Sequence, residues 1–278
     1  MPSQPLSDWL GDTESMLREA GIETARLDAL VLLSDELDQD KSWILAHPEY
    51  DIQGSVVEKL NKKVAQRTQH TPLAYIRGKV EFYGREFTVN EHVLVPRPES
   101  EAMITLLKQL PAPKNQCLLI DVGTGSGCLA ITAKLELPKA EVVALDIDVD
   151  CLKLAKQNAA ALQATIAFFE SNLLSALQAP NTKQQTSVIL ANLPYVPENY
   201  SINAAAKHEP RLALYGGTDG LDLYRKLFTQ VQALAAPPAW IITEALRHQH
   251  SSLAGIAREN GYKLHASDDL AQLFQFSG

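Results

Sequence analysis

The stretch Cys117-Leu118-Leu119-Ile120-Asp121-Val122-Gly123-Thr124-Gly125-Ser126-Gly127 decides how this chain is read. Its first four residues are apolar without alternation, as in a strand buried on both faces. Its last five form a glycine loop that opens onto an apolar helical segment, Leu129 to Leu137, stopped by Pro138. Strand, loop and helix in that order make one unit of a parallel sheet, and the units repeat. Val142-Val143-Ala144-Leu145 is a second strand, followed by a helix over residues 149 to 162. Thr165 to Phe169, Val188 to Ala191 and Ala239 to Thr243 supply further strands, with a helix over 221 to 235 between the last two. From about Glu99 onward the pattern predicts an α/β, Rossmann-like domain with a parallel sheet covered on both faces. Its ligands should sit at the carboxyl ends of the strands, where the strand order reverses.

The loop narrows the ligand. Glycines let a backbone turn tightly and approach a bound group with no Cβ in the way. The dinucleotide fingerprint G-x-G-x-x-G needs glycine at position 128, where this chain has Cys128, and it has no use for the acid Asp121 at the strand end. An acid followed by G-x-G-x-G is the pattern of methyltransferases that use S-adenosylmethionine, a cation without phosphates. Asp121, Gly123, Thr124, Gly125, Ser126 and Gly127 are the cofactor-binding candidates on this ground. Asp146 ends the next strand, nineteen residues beyond Gly127. A carboxylate there can accept from both ribose hydroxyls of a nucleoside; equally it can cap the following helix, a role Asp148 could fill as well.

The fourth strand delivers Asn192-Leu193-Pro194-Tyr195. An amide nitrogen is a poor nucleophile because its lone pair is delocalised into the carbonyl. If its two N–H groups donate to Asn192 Oδ1 and to the carbonyl of Leu193, the nitrogen is held towards an incoming methyl group, and partial pyramidalisation frees the lone pair. Tyr195 can stack on the flat group and fix its plane. This is positioning and electrostatics, without a base of tuned pKa. Adenine's exocyclic nitrogen is also planar and conjugated, so the tetrapeptide alone leaves a nucleic-acid substrate open. Read as bare turn punctuation, it would carry no chemistry.

The rest of the chain bounds the answer. Of its 278 residues, 46% are hydrophobic, enough for real cores, and the formal net charge is −8. Residues 1 to 75 hold 13 Asp and Glu against 7 Lys and Arg. That balance argues against duplex-DNA binding and against the basic channel a flipped base would need. Cys117, Cys128 and Cys151 form no C-x-x-C pair and read as buried free thiols in a reducing compartment; no metal is expected. The N-terminus has neither a basic flank nor an apolar run, and no stretch approaches a membrane span, so a soluble, cytoplasmic monomer is expected. Leu6, Leu10 and Leu17 stripe a first helix closed by Gly21. Leu27, Leu30, Val31 and Leu33 stripe a second, Trp43, Ile44 and Leu45 sit in a third, and Val56, Val57, Leu60 and Val64 stripe a fourth. Lys59, Lys62, Lys63 and Arg67 lie on the other side of the fourth, as a solvated face. Between Pro72 and Pro98 the period turns from helical to alternating, with a hairpin turning at Gly84. The expected division is a helical domain over 1–71, a hairpin connector over 72–98 and the α/β domain over 99–278.

With these motifs in place, the chain resembles the glutamine methyltransferases of the HemK/PrmC family over nearly its whole length. Pro72-Leu73-Ala74-Tyr75-Ile76-Arg77-Gly78 and Val93-Leu94-Val95-Pro96-Arg97-Pro98-Glu99-Ser100-Glu101 are similar to family segments. So are Glu209-Pro210, Ala213-Leu214 and Gly216-Gly217-Thr218-Asp219-Gly220-Leu221. The resemblance implies a substrate-recognition role for the helical domain and a peptide chain release factor as partner. It implies methylation of the glutamine in the Gly-Gly-Gln loop, with S-adenosylhomocysteine as the other product. Gly123 through Gly127, Asp146 and Asn192 would contact the cofactor, and Asn192 through Tyr195 would hold the glutamine. Two departures stand out. The family tetrapeptide is commonly Asn-Pro-Pro-Tyr, whereas position 193 is leucine. Near the adenine the family usually has an aspartate, and this chain has Ser171-Asn172-Leu173, where Asn172 can accept through its amide oxygen but also donates. Glu244, after the fifth strand, stands where the family often has an acid and reads as structural. Methylation of a ribosomal-protein glutamine by a sister family is a close rival, adenine methylation a further one, and a non-catalytic scaffold the reading from another class.

Overall fold

Five helices form where the N-terminal sequence is helically periodic: α1 (Leu6–Glu19), α2 (Ala25–Leu37), α3 (Lys41–Ala46), α4 (Gly54–Thr68) and α5 (Leu73–Arg77). A two-residue strand pair, β1 (Gln4–Pro5) with β2 (Asp51–Ile52), accompanies them. The structure is a computed structural model and describes residues 2–111, 117–177, 187–234 and 236–278. Leu6, Leu10 and Leu17 are buried as their spacing predicts, together with Trp9. In α2 the expected stripe holds at Leu30 and Leu33, but Ala25, Ala29 and Leu32 also turn inward, Val31 is only partly buried and Leu27 is half exposed. A polar anchor sets that rotation, because Asp28 is buried and paired with Arg67 of α4 at 2.7 Å. Lys63 likewise meets Glu36 at 2.6 Å. The basic run is therefore split: Lys59 and Lys62 face solvent, while Lys63 and Arg67 tie α4 to α2.

Backbone contacts group Met1–Lys79 with Ile202–His208 in one unit, and Val80–Ser201 with Glu209–Gly278 in another. The hairpin β3 (Lys79–Phe82) and β4 (Arg85–Thr88) turns on Tyr83 and Gly84, both left-handed at φ 53° and 69°. Such a two-residue turn matches the twist of the flanking strands. Phe82 and Phe87 are buried in the core of the second unit against Met103, Leu106 and Leu107 of α6 (Glu101–Gln109). The hairpin, anticipated as part of a connector, is thus packed into the α/β unit.

The sheet of that unit has the order β10-β11-β9-β8-β5-β6-β7. It comprises β5 (Leu118–Val122), β6 (Glu141–Asp146), β7 (Ala167–Glu170), β8 (Ser187–Ala191), β9 (Trp240–Glu244), β10 (Tyr262–Asp268) and β11 (Ala271–Phe276). Strands β5 to β9 are parallel, within a residue or two of their expected positions. The antiparallel pair β10–β11, added at the β9 edge, was not foreseen. Its strands mix exposed polar residues with buried ones such as Tyr262, Leu273 and Phe274, a weaker signal than an unbroken apolar run. The helices are α7 (Cys128–Glu136), α8 (Val149–Ala161), α9 (Arg211–Leu214), α10 (Asp222–Gln232) and α11 (His250–Glu259). Residue 235, the end of one expected helix, lies outside the described residues. Alternation along the strands feeds two apolar layers: Leu119, Val188 and Leu190 meet α6 and α7, while Ile120, Val122 and Ile189 meet α10 and α11. From β5 the chain runs outward through β6 and β7, then crosses to β8 on the other side, so the carboxyl ends of β5 and β8 flank the crevice.

Candidate active site

The loop after β5 holds its shape through its three glycines and a buried acid. Gly123, Gly125 and Gly127 are all left-handed, with φ of 74°, 54° and 83°. A Cβ on Gly127 would come within 3.1 Å of the Ala155 Cβ, so that glycine closes α7 against α8, whereas a Cβ on Gly125 would meet nothing and face open space. Asp121 is fully buried beneath the loop. Its Oδ2 accepts from the Thr124 hydroxyl at 2.6 Å and from the Ala130 N–H at 3.2 Å. Its Oδ1 has no hydrogen-bond partner among the described residues. Burial pushes the carboxyl up to about 7, against those two hydrogen bonds, and the nearby charge of Asp146 adds to the rise. From α8, Asn158 donates to the carbonyls of Ser126 and Thr88 at 2.9 Å each, fastening the loop to the hairpin.

A cavity of about 260 Å³, lying wholly in the second unit, opens above this loop. Gly123, Thr124, Gly125, Ser126, Asp146, Asn172, Leu173, Asn192, Leu193 and Pro194 line it; Asp121, Gly127 and Tyr195 do not. Asp121 therefore braces the loop from behind. Asp146, at the end of β6, accepts from Gly125 N at 2.8 Å and from Asp148 N at 2.9 Å. Asp148 caps α8 through Asp150 N, which leaves the remaining acceptor sites of Asp146 for the cavity. Burial raises this carboxyl too. On the far wall Asn172 Oδ1 is taken by Lys226 Nζ at 2.9 Å, and Gln230 accepts from Leu174 N at 2.7 Å. The acceptor expected of Asn172 is thus shared with Lys226, leaving one lone pair and the NH₂ end. Leu173 sits left-handed at φ 57° in the same turn. Among the site residues that sequence reasoning missed are Arg97, Ser100 and Lys226, all lining the cavity. Arg97 forms an ion pair with Glu209, whose other oxygen accepts from Val95 N at 3.1 Å, so two of the quoted segments meet here. The lining suits a nucleoside carrying a positive charge: acceptors at the β6 end, apolar Leu94 and Ile147, bare glycine backbone, and an Arg97 already paired with Glu209.

Beyond β8 the backbone of Asn192-Leu193-Pro194-Tyr195 is gripped from several sides. Leu193 N donates at 3.2 Å to the buried hydroxyl of Tyr224, which in turn donates to the Glu244 carbonyl. The Leu193 side chain is 2% exposed, packed into the core beside Gly123. A Cβ on Gly216 would lie 2.2 Å from the Pro194 carbonyl oxygen, and one on Gly220 2.0 Å from that of Tyr195. Those two glycines are required by close approach, which gives the 216–220 segment its physical sense. Asn192 Nδ2 donates to the Ser100 hydroxyl at 2.9 Å, and the Tyr195 hydroxyl donates to Glu244 Oε1 at 2.9 Å. Glu244 is buried, and burial raises its carboxyl, opposed by the groups that approach it: Ser100, Tyr195 and Asn192. Burial also raises the Tyr195 phenol, so it stays protonated.

A model of the PrmC N-terminal domain matches residues 8–78, and one of the methyltransferase small domain matches residues 100–208. A release factor glutamine methyltransferase of Koribacter versatilis is 36% identical over 82% of this chain and 81% of its own length. The chain belongs to the release factor glutamine methyltransferase family. A second member, from Deinococcus radiodurans, is 31% identical over 95% of this chain and 94% of its own. The solved structure of a methyltransferase from Pyrococcus furiosus shares the fold of the α/β unit, with a TM-score of 0.52 at 16% identity over 71% of this chain and 91% of that one. The chain is thus a methyltransferase by family, and among its described residues no helix is long and apolar enough to cross a membrane.

Proposed function

We propose that this enzyme transfers a methyl group from S-adenosylmethionine to the side-chain nitrogen of the glutamine in the Gly-Gly-Gln motif of peptide chain release factors. The observation that carries the reading is the Asn192 amide: with Nδ2 held by Ser100, Oδ1 is the end left for a donor in the cavity. Bound above the glycine loop, the cofactor supplies an electrophilic methyl on a sulfonium. Asp146 would hold its ribose, the backbone at Gly123 to Ser126 its amino-acid end, and the turn at Asn172 and Leu173 its adenine. The chain's own residues do the rest. Asn192 Oδ1 and the Leu193 carbonyl accept the two N–H groups of the glutamine amide, which points the nitrogen and favours its pyramidal form. Tyr195, which lies outside the cavity lining, would pack on the amide plane where the glutamine enters past Pro194, and the methylated amide loses its extra proton to water. The advantage lies in orientation and preorganised acceptors, so no side chain has to remove a proton beforehand.

The match of residues 8–78 to the PrmC N-terminal domain favours a release factor over a ribosomal protein. The net charge of −8 weighs against a nucleic acid. Residues 1–71 would add recognition of the folded partner, making a free peptide the weaker substrate. A competition assay tests the reading by offering intact release factor, its Gln→Asn variant at the target position, and adenine-containing DNA. Transfer to the intact factor alone is expected; transfer to DNA, or equal transfer to the Asn variant, would overturn it.

A further inference from the structure

An asparagine amide has an acceptor and a donor end of nearly equal size, so a half-turn exchanges them at little steric cost. A site that works by accepting N–H groups needs something that forbids the wrong half-turn. At Asn192 that something lies on the neighbouring strand. β8 and β9 are parallel with Ala191 opposite Thr243, so Asn192 and Glu244 are the next pair out, emerging side by side at the carboxyl end of the sheet. Glu244 is 1% exposed, and its carbonyl is fixed by the Tyr224 hydroxyl. Its Oε1 takes the Tyr195 hydroxyl; its Oε2 is buried and takes no full hydrogen bond among the described residues.

We propose that Glu244 is a positioning residue that sets the direction of the Asn192 amide and the plane of Tyr195. A buried carboxyl surrounded by acceptors would be strongly disfavoured, so the side chains beside it turn their donors inward. The Asn192 NH₂ therefore faces the Ser100–Glu244 side, where Ser100 Oγ receives it at 2.9 Å, and Oδ1 faces the cavity. Were the amide reversed, Oδ1 would lie against the carboxyl and the NH₂ group would confront the substrate's own donors. The same carboxyl tethers the Tyr195 hydroxyl, so one buried acid orients both side chains assigned to the substrate amide. This inference rests on the proposed role of Asn192 Oδ1 as acceptor, but the orientation can be measured without any substrate.

Glu244→Gln keeps volume and can still accept from Tyr195, yet it can place an NH₂ group where Oε2 stood, which invites Asn192 to turn over. Two readings are needed on this variant, alongside Tyr195→Phe and Ser100→Ala. In solution NMR, the side-chain amide protons of Asn192 should show close contacts to Ser100 in the parent, and weakened or averaged ones in Glu244→Gln. In the methylation assay, kcat should fall by roughly tenfold or more, with S-adenosylhomocysteine affinity and melting temperature unchanged. Ser100→Ala, which removes only the receiving hydroxyl, should lower kcat less, and Tyr195→Phe should raise KM more than it lowers kcat. Unchanged Asn192 contacts in Glu244→Gln, or full kcat in that variant, would overturn the proposal. If the parent shows the Asn192 contacts but methylates no release factor, the substrate assignment fails while this inference survives.

Discussion

Asn192 and Asp146 should fail in opposite ways when truncated, because the proposed function has one act on the reacting nitrogen and the other on the cofactor. Asn192→Ala removes an acceptor whose worth grows as the nitrogen pyramidalises. A loss of about 2–4 kcal/mol in transition-state stabilisation is expected, with little change in S-adenosylhomocysteine binding. Asp146→Ala should instead weaken that binding by about 1.5–3 kcal/mol in calorimetry. Variants that behaved alike would contradict the division of labour. Asp121 makes a separate prediction about stability. Its carboxyl titrates near 7 in the fold against 3.8 ordinarily. Between those values the folded chain holds a proton that the unfolded chain has lost, so this group favours folding most at low pH and its contribution falls as pH rises through about 7. Asp121→Asn cannot lose that proton. Its melting temperature relative to the parent should therefore climb from about pH 5 to about pH 8, and a constant difference would refute the assignment. The sequence made the glycine loop, Asp146 and Asn192 legible because each has a fixed place after a strand. It did not reveal Ser100 or Lys226, whose partners lie 92 and 54 residues away and leave no local pattern. Nor could it show that Asp121 lies beneath the loop, since an acid at a strand end looks the same from either side.

At the scale of elements, the end of β8 is held by α10 and β9 through one hydroxyl. Tyr224 accepts from Leu193 N and donates to the Glu244 carbonyl. A proline at 193, which the resembling family pattern would place there, has no N–H to give, so in this chain leucine contributes both that hydrogen bond and its buried side chain. Leu193→Pro keeps the carbonyl that the mechanism uses. It should therefore retain kcat while lowering stability by about 1–3 kcal/mol in chemical denaturation. Tyr224→Phe should cost a similar amount by stranding the same buried N–H. A Leu193→Pro variant that stayed fully stable but lost activity would reverse this assignment. Elements with one strong pattern were legible: β5, β6 and β8 are each built on a short apolar run, Cys117 to Ile120, Val142 to Leu145 and Val188 to Ala191, and the hairpin follows from alternation around Gly84. The helix face of α2 was legible only at Leu30 and Leu33, because its rotation is fixed by the Asp28–Arg67 pair and by small buried alanines, which hydropathy alone ranks below an exposed Leu27.

For the whole molecule, the excess of acid and the tetrapeptide Asn192 to Tyr195 support the proposed methyl acceptor, a protein amide that would be presented on a glycine-flanked loop thin enough to enter beside Asn192. Glycines next to the target let its backbone come close where bulkier residues would collide. The most direct test is tandem mass spectrometry of the Gly-Gly-Gln peptide from a release factor incubated with the enzyme and methyl-labelled S-adenosylmethionine. The account predicts the label on the glutamine side-chain nitrogen, and its absence from the same peptide when the enzyme carries Asn192→Ala. Label on any other residue, or undiminished label with the Asn192 variant, would contradict it.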